Sequence, residues 1–280
     1  MLNTAMLRRY DATPHALRVA VVCSRRAPGL SHLLDAPERG RSYELVTVVT
    51  SDAECVERQG LAAAGVPCLL HDIRAFYGAR GARLGHLGPR PHYDRLTVEL
   101  LAPYRPDLVI LCGYLHIVTG PMLDAYPERL VNIHDSDLML TDTAGRPKYR
   151  GLHAVRDAVC AGESATRSTV HLATPEVDGG PLLLRSWAFP THPMVDAARD
   201  WGATDILKAY AYAQREWMMR ASWGPLLATA IGLYARDEVR LLDGRAVVAG
   251  SLGPRDLSLP AARVAGGAEH FEAVLHAGER

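Results

Sequence analysis

An asparagine and a histidine stand one residue apart in the segment LVNIHDS, at Asn132 and His134. Side chains alternate between the two faces of a β-strand, so in a strand these two would point the same way. An asparagine amide can donate hydrogen bonds to an oxygen that gains negative charge, and an imidazole can donate or accept a proton near neutral pH. The pair is therefore suited to acyl transfer. Polar residues at a strand end also serve as ordinary capping or loop hydrogen bonds, so a third group is needed.

Asp178 is the candidate for that third group. It lies in the segment STVHLATPEVDGGPLL, in which a strand is predicted to end at about Ala173. An acid in the turn that follows could face His134 from the neighbouring strand and hold it as a proton shuttle. An Asp-Gly turn without chemistry is the simpler interpretation of the local sequence.

The elements that must position these residues alternate between strands and helices from residue 17 onward. Predicted strands cover 17–23, 43–49, 66–70, 107–114, 129–136, 167–173 and 181–189, and predicted helices run from Ser51 or Asp52 to near Gly65, over 92–104, and from about Thr204 to Tyr234. This alternation predicts an α/β fold with a mostly parallel twisted sheet flanked by helices, in which ligands gather at the carboxyl ends of the strands. Asp243-Gly244, between two short apolar segments, predicts a small β-hairpin near the C-terminus.

Composition excludes several classes of partner. The 280 residues contain 31 basic and 31 acidic side chains, so no broad basic field predicts binding to nucleic acid or to a membrane. The five cysteines form no CxxC pair, which favours free thiols in a reducing compartment. The first residues lack the apolar stretch of a signal peptide, and no apolar run approaches the ~20 residues that span a membrane. We expect a soluble cytoplasmic protein that acts on small molecules, with no metal site because the histidines lack ligand spacing.

Four segments of the chain occur together in an informative order. They are DLVILCGYLHIVTGPML, LVNIHDS, KYRGLHAVRDAVCAGE and STVHLATPEVDGGPLL. With the closing helix and hairpin, they make the chain resemble the folate-dependent formyltransferases, especially glycinamide ribonucleotide formyltransferase, from about residue 17 to 250. The resemblance implies a Rossmann-like formyltransferase fold, with one catalytic domain over residues 1–250 and a C-terminal tail over 251–280 that we expect to be loosely ordered.

The resemblance also implies roles for individual residues. Asn132, His134 and Asp178 match the catalytic asparagine, histidine and aspartate of the family, and His171 matches a supporting histidine. The formyl donor would be 10-formyltetrahydrofolate, as a co-substrate and without a metal. The residues expected to bind the folate are Leu115, His116, Ile117, Val118, Ala173, Thr174 and Val177.

The loop after the first strand departs from the family pattern. In the purine enzyme this loop is rich in glycine and serine and holds the substrate phosphate. Here it keeps only Gly29 and Ser31 of that pattern and adds Arg25 and Arg26. Arginine grips phosphate or carboxylate through two hydrogen bonds, so we expect these four residues to bind the acceptor, although two solvated arginines would explain the sequence equally well.

The late helix provides a further expected acceptor contact. Gln214, Arg215 and Glu216 all lie near the position at which the purine enzyme contacts its ribose and phosphate. Helical register does not choose among them from sequence alone, and Glu216 is assigned to the acceptor site.

Two insertions lie near the expected acceptor site. Residues 137–147 lengthen the segment after His134, and Asp135 stands where the family usually has proline. The polar residues of this region could contact the acceptor or decorate a mobile loop; they are Asp135, Asp137, Asp142 and Arg146. The Gly/Arg-rich residues 78–91 are a candidate lid.

Transfer of a formyl group to the amine of a small polar metabolite is the function we expect first. The altered loop argues against the usual purine intermediate as acceptor. The alternatives are glycinamide ribonucleotide formyltransferase with a variant phosphate loop, a 10-formyltetrahydrofolate hydrolase, and a folate-binding protein without turnover. Hydrolases of the family usually carry an extra N-terminal domain, for which the residues before the first strand leave no room. The oligomeric state stays open, with a homodimer among the options.

Overall fold

The architecture was derived from a computed structural model, which describes residues 16–258. The strands are β1 (Leu17–Cys23), β2 (Tyr43–Thr50), β3 (Cys68–Leu70), β4 (Leu108–Cys112), β5 (Leu130–His134), β6 (Ala165–Thr166), β7 (Thr169–Leu172), β8 (Leu182–Arg185), β9 (Phe189–Pro190), β10 (Val239–Leu242), β11 (Arg245–Val248), β12 (Ser251–Leu252) and β13 (Arg255–Asp256). The α-helices are α1 (Leu30–Asp35), α2 (Arg58–Ala63), α3 (Ile73–Gly78), α4 (Arg90–Leu101), α5 (Gly120–Ala125), α6 (Ala154–Ala161), α7 (Met194–Asp200), α8 (Thr204–Met218) and α9 (Gly224–Ala235).

Eight of these strands form one twisted sheet in the order β13, β8, β7, β5, β4, β1, β2, β3. Strands β3, β2, β1, β4 and β5 are mutually parallel, whereas β7 runs antiparallel to both β5 and β8. The predicted fold class, a mostly parallel sheet flanked by helices, is confirmed. Because β1, β4 and β5 run the same way, their carboxyl ends meet at one edge of the sheet, where a ligand site is expected.

The central strands are buried on both faces, which explains their continuous apolar sequences. Val21 of β1 packs in the cluster that includes Leu226 of α9, and the neighbouring Val22 packs on the other face with Leu101 of α4 and Met122 of α5. All five side chains are at most 2% exposed. Each such burial contributes about 1.5–3 kcal/mol of hydrophobic stabilisation, so the two layers of helices hold the sheet edge in place.

The helix predicted to begin at Ser51 or Asp52 begins later, as α2. Asp52 Oδ1 instead accepts a hydrogen bond from the N–H of Glu54 at 2.8 Å, and the N–H of Val56 donates to the carbonyl of Arg25 at 2.9 Å. A short polar side chain that bonds to nearby backbone competes with helix formation. This segment therefore forms turns that contact the loop after β1.

The long helix predicted from Thr204 to Tyr234 is interrupted. It consists of α8, a π-helical turn over Met219–Trp223, and α9, in which proline stands at position 225. Proline has no N–H to donate, and π-helical turns insert one residue into the hydrogen-bond ladder. At this interruption the backbone of Gly224 approaches Gly29, where a Cβ would lie 2.7 Å from the nitrogen of Gly224.

The C-terminal hairpin follows the prediction. Strands β10 and β11 pair antiparallel on either side of Asp243 and Gly244, whose φ angles are 49° and 73°, as a two-residue turn of this kind requires. The predicted C-terminal tail begins with β12 and β13, and β13 pairs with β8 in the main sheet. The rest of the expected tail, 259–280, and the first residues, 1–15, lie outside the described residues. Between residues 16 and 258, no helix is both long and apolar enough to cross a bilayer.

Gly113 marks the point at which the loop after β1 crosses the end of β4. Its φ is 64°, and a Cβ would lie 2.4 Å from the carbonyl oxygen of Arg26. Its own carbonyl accepts a hydrogen bond from the N–H of Ser24 at 3.2 Å, and the Oγ of Ser24 accepts another from the N–H of Leu115 at 3.1 Å. Glycine here allows two strand ends to approach closely.

We expect Gly113→Ala to lower the free energy of unfolding by about 2–5 kcal/mol. A left-handed backbone costs a residue with a Cβ about 1–2 kcal/mol, and overpacking against Arg26 adds about 1–3 kcal/mol. Denaturant unfolding measures the change. Gly60→Ala is the control, because a Cβ at Gly60 in α2 meets nothing within 4 Å; helix propensity favours alanine there by up to about 1 kcal/mol. An equal loss in both variants would contradict the argument.

Candidate active site

Asn132 and His171 face each other across the β5–β7 pair. The antiparallel register places Asn132 opposite His171, and Nδ2 of Asn132 lies 3.1 Å from Nε2 of His171. Nδ1 of His171 lies 2.8 Å from the carbonyl oxygen of Leu172. A carbonyl only accepts, so Nδ1 carries a proton, and Nε2 lies between the asparagine amide and Oδ1 of Asp178, which is 3.7 Å away. The contact orients the amide and leaves its second N–H free.

His134 lies between two buried carboxylates. Its Nδ1 is 3.6 Å from Oδ1 of Asp135, and its Nε2 is 3.5 Å from Oδ2 of Asp178. Only 12% of the His134 side chain is exposed, and Nε2 has no hydrogen-bond partner among the described residues. A buried nitrogen without a partner is costly, so this atom is available to a reacting group at the edge of the sheet.

A tight turn holds Asp178 in front of His134. The φ of Asp178 is 54°, a left-handed conformation that aspartate tolerates better than most residues, and Oδ2 accepts a hydrogen bond from the N–H of Gly151 at 2.8 Å. A Cβ at Gly180 would lie 1.9 Å from the carbonyl oxygen of Leu172, so the Gly-Gly pair lets this turn fold back against β7.

Asp178 is held in its ionised form. Burial by itself raises the pKa of this carboxyl, but the imidazoles of His171 and His134 and the N–H of Gly151 outweigh burial and lower its pKa well below the ordinary range. The site therefore combines a fixed negative charge with two imidazoles and an amide donor.

A cavity of about 390 Å³ opens beside these groups. Asn132, His134 and Asp178 all line it. So does every residue expected to bind the folate: Leu115, His116, Ile117, Val118, Ala173, Thr174 and Val177. The size is within the usual range for a small-molecule site, and polar groups converge on one wall of an otherwise largely apolar space.

Several apolar side chains of the cavity wall are left uncovered. Leu115, Ile117 and Val177 are 49%, 41% and 43% exposed, respectively. Exposed apolar surface that lines a concave site is a feature of ligand pockets. The residues present therefore fit a flat, partly apolar molecule such as a pterin, whose polar edge could reach the backbone of residues 173–178.

Arg215 also lines the cavity. The sequence did not distinguish it from Gln214 and Glu216. Its Nε donates a hydrogen bond to Oδ2 of Asp135, the carboxylate that faces His134. Gln214 is buried and donates to Thr166 and to the carbonyl of Phe189. The structure thus distinguishes Arg215 from Gln214, which the sequence could not do, because only packing fixes which face of α8 is turned to the cavity.

The residues expected to bind the acceptor lie outside the lining of this cavity. Arg26 and Glu216 bind each other through two hydrogen bonds, one of which spans 3.1 Å. Arg25 is exposed and pairs with Glu54 at 3.1 Å. Gly29 and Ser31 stand at the start of α1, beside the interrupted long helix. Their role toward an acceptor stays a prediction.

The two insertions are folded against the rest of the chain. Asp137 pairs with Arg167 at 3.6 Å and with Arg185 at 3.5 Å, and Asp142 pairs with Arg146 at 3.0 Å, so of the four polar residues considered only Asp135 lines the cavity. Residues 78–91 connect α3 to α4, and the hydroxyl of Tyr77 donates to the carbonyl of His86 at 3.0 Å. A lid function for them stays a prediction.

The arrangement can stabilise a developing oxyanion and move a proton. Asn132 supplies a donor, His134 supplies an imidazole nitrogen, and Asp178 supplies the fixed charge that an imidazolium needs. Across residues 16–258, no group of histidine, cysteine or acidic side chains is arranged to hold a metal ion.

Comparison with known proteins gives consistent findings. The formyl transferase family matches residues 17–200. Phosphoribosylglycinamide formyltransferase of Escherichia coli (strain K12) is 31% identical over 173 residues, which cover 61% of this chain and 72% of that protein. A trifunctional purine biosynthetic protein of Drosophila melanogaster is 31% identical over 179 residues, but the chain spans only 12% of its length.

Solved structures agree with the fold. The crystal structure of glycinamide ribonucleotide transformylase 1 from Symbiobacterium toebii matches with a TM-score of 0.60 at 30% identity, over 84% of this chain and 94% of that one. A formyltetrahydrofolate deformylase from Burkholderia mallei matches with a TM-score of 0.61 over 84% of this chain and 70% of that one. Its identity is 18%, so this likeness shows the fold alone.

We expect Asp178→Asn to destabilise the protein in a pH-dependent way. The lowered pKa of Asp178 means that its contribution is fully present above the pKa of the unfolded state, about 3.9, and is lost as the pH falls through the folded pKa. The variant should be less stable by on the order of 1–3 kcal/mol at pH 7, and the gap should narrow below about pH 4. Unfolding of both proteins between pH 3 and about 7 measures this. A difference in stability between the two proteins that grows at acidic pH would contradict the expected direction.

Proposed function

The chain belongs to the formyl transferase family and is a folate-dependent formyltransferase, and from this premise we propose that it transfers the formyl group of 10-formyltetrahydrofolate to the amine of a small polar metabolite. The observation that carries the proposal is that a single cavity is lined both by uncovered apolar side chains and by Asn132, His134 and Asp178. The apolar side chains could hold a pterin, and the three polar residues could act on the formyl group of the folate.

The reaction would begin with the neutral acceptor amine attacking the formyl carbon. A bond forms between the amine nitrogen and that carbon, and the carbonyl oxygen gains negative charge. The free N–H of Asn132 and a protonated His134 would donate hydrogen bonds to this oxygen. Donors held in place before the reaction cost no reorganisation when the charge develops, which is why their burial matters.

The second half of the reaction would break the bond between the formyl carbon and N10 of the folate. The electron pair of that bond goes to N10. The protonated Nε2 of His134, which has no protein hydrogen-bond partner in the described chain, would give its proton to N10, and the neutral imidazole would then take the proton that the amine loses. Asp178, 3.5 Å away, would stabilise the imidazolium while it holds the proton.

The acceptor is proposed in two versions. The similarity to phosphoribosylglycinamide formyltransferase favours glycinamide ribonucleotide. The ion pair between Arg26 and Glu216, two residues expected at the acceptor site, instead favours a different small amine, because Glu216 engages both Nη atoms of Arg26. Hydrolysis of the formyl donor, with water in place of an amine, is a third outcome that the experiment below separates from both.

We expect Asp178→Asn to reduce formyl transfer by a factor of about 10²–10⁴, because the isosteric amide cannot stabilise the imidazolium of His134. The measurement is release of tetrahydrofolate from 10-formyltetrahydrofolate, with glycinamide ribonucleotide, with other amines, and with none. Asp196→Asn is the control: this exposed aspartate of α7 pairs with Arg199 at 3.0 Å and is absent from the cavity wall. It should keep full activity.

Each pattern of release has a distinct meaning. Release that requires glycinamide ribonucleotide would support the first acceptor, and release that requires another amine would support the second. Release into water alone, equally fast with and without amines, would indicate a hydrolase. Asp178→Asn with unchanged release would contradict the mechanism whatever the acceptor.

A further inference from the structure

The guanidinium of Arg215 is hydrogen-bonded along one edge, and its other edge has no partner among the described residues. Its Nε donates to Oδ2 of Asp135, and within residues 16–258 this is the one side-chain hydrogen bond of Arg215. The side chain is 27% exposed and lines the cavity, and neither Nη1 nor Nη2 has a hydrogen-bond partner among the described residues. A guanidinium fixed at Nε cannot swing away, and its free edge has the spacing that a carboxylate or phosphate accepts through two hydrogen bonds.

The neighbouring arginines around the site are engaged through their terminal nitrogens. Arg26 uses both Nη atoms on Glu216, Arg25 uses Nη2 on Glu54, and Arg150 uses Nη1 on Glu176. Arg215 differs because its partner occupies Nε and leaves the outer edge unused. This difference makes Arg215 the arginine best placed to bind a ligand anion.

The position of Arg215 relates it directly to the reacting groups. Asp135 bridges it to His134, since Oδ2 of Asp135 accepts from Arg215 while Oδ1 lies 3.6 Å from Nδ1 of His134. One carboxylate therefore separates the free guanidinium edge from the imidazole expected to act in transfer. A ligand group held by Arg215 would lie close to the attacking atom.

We propose that Arg215 binds a carboxylate of the acceptor, so that the acceptor is an amine that carries a carboxylate near its amino group. This inference rests on the proposed function and specifies its substrate class. Asp135 would be a positioning residue, which orients Arg215 and does not itself contact the acceptor anion.

Charge balance favours a carboxylate over a phosphate monoester. Arg215 is already paired with Asp135, so the two together carry no net charge before a ligand binds. A carboxylate adds one negative charge, whereas a phosphate monoester adds nearly two, and the next arginine, Arg26, is neutralised by Glu216. Burying an uncompensated charge is expensive, so the singly charged anion fits this wall better.

The first experiment compares matched ligands. The standard α-amino acids and their α-amides are titrated into the protein with the folate donor present, and binding is followed on the side-chain ¹⁵N–H signals of arginine, assigned with Arg215→Met. Inorganic phosphate and glycinamide ribonucleotide form separate arms. We expect at least one amino acid to perturb the Arg215 signals and to bind about 10- to 100-fold more tightly than its amide, because a hydrogen bond to a charged group is lost in the amide.

Variants test whether that preference comes from Arg215. Arg215→Met should reduce the preference for acid over amide to near unity, and Arg215→Lys should keep part of it, since lysine retains the charge but not the two-donor edge. Arg199→Met is the control, because Arg199 pairs with Asp196 in α7 and does not line the cavity. It should preserve the full preference.

The outcomes separate this inference from the proposed function. Amides that bind as well as acids, no perturbation of Arg215 by any acid at millimolar concentration, or perturbation only by glycinamide ribonucleotide or phosphate would overturn the carboxylate proposal. Carboxylate-dependent binding at Arg215 without formyl transfer to any amine would keep the anion site and reject the proposed function. Formyl transfer to amines that lack a carboxylate would support the proposed function and reject the carboxylate proposal.

Discussion

Strands β5 and β7 pair antiparallel, and the rest of the site depends on that pairing. The register sets Asn132 opposite His171, and it places the turn after β7 beside the end of β5. Because side chains alternate along a strand, a shift by one residue would turn the side chains of Asn132 and His134 away from the reacting groups. The apolar residues that hold the register, such as Val131 and Val170, are fully buried. Core packing thus aligns the polar groups.

The site joins two environments that act on each other. A ligand seated on its apolar wall would exclude water from the end of the sheet, which would strengthen every electrostatic interaction on the polar wall. Burial raises the pKa of Asp178, yet the adjacent imidazoles and the N–H of Gly151 outweigh burial and keep the carboxyl ionised. The geometry is therefore suited to reactions in which an oxyanion forms and a proton moves over a short distance.

Helix α8 organises the region in which the acceptor is expected to bind. Two consecutive residues of this helix, Arg215 and Glu216, bind carboxylate or guanidinium groups on two different loops, at Asp135 after β5 and at Arg26 after β1. A π-helical turn follows and brings the backbone of Gly224 against the start of α1. The first of these contacts places Arg215 in the lining of the cavity. The second engages Arg26, for which the sequence left anion binding and solvation both open.

The sequence by itself predicted the parallel strands and the hairpin, because continuous apolar runs and a two-residue turn are local properties of a chain. Its resemblance to the folate-dependent formyltransferases, and not any local pattern, predicted the grouping of Asn132, His134 and Asp178. The tertiary structure decided what depends on distant segments. It placed Arg215, and not Gln214 or Glu216, in the lining of the cavity, since the face of a helix that meets a cavity is set by packing. It also paired Arg26 with Glu216 across 190 positions, a contact that no local pattern encodes because each side chain finds its partner only after the sheet has brought the loops together.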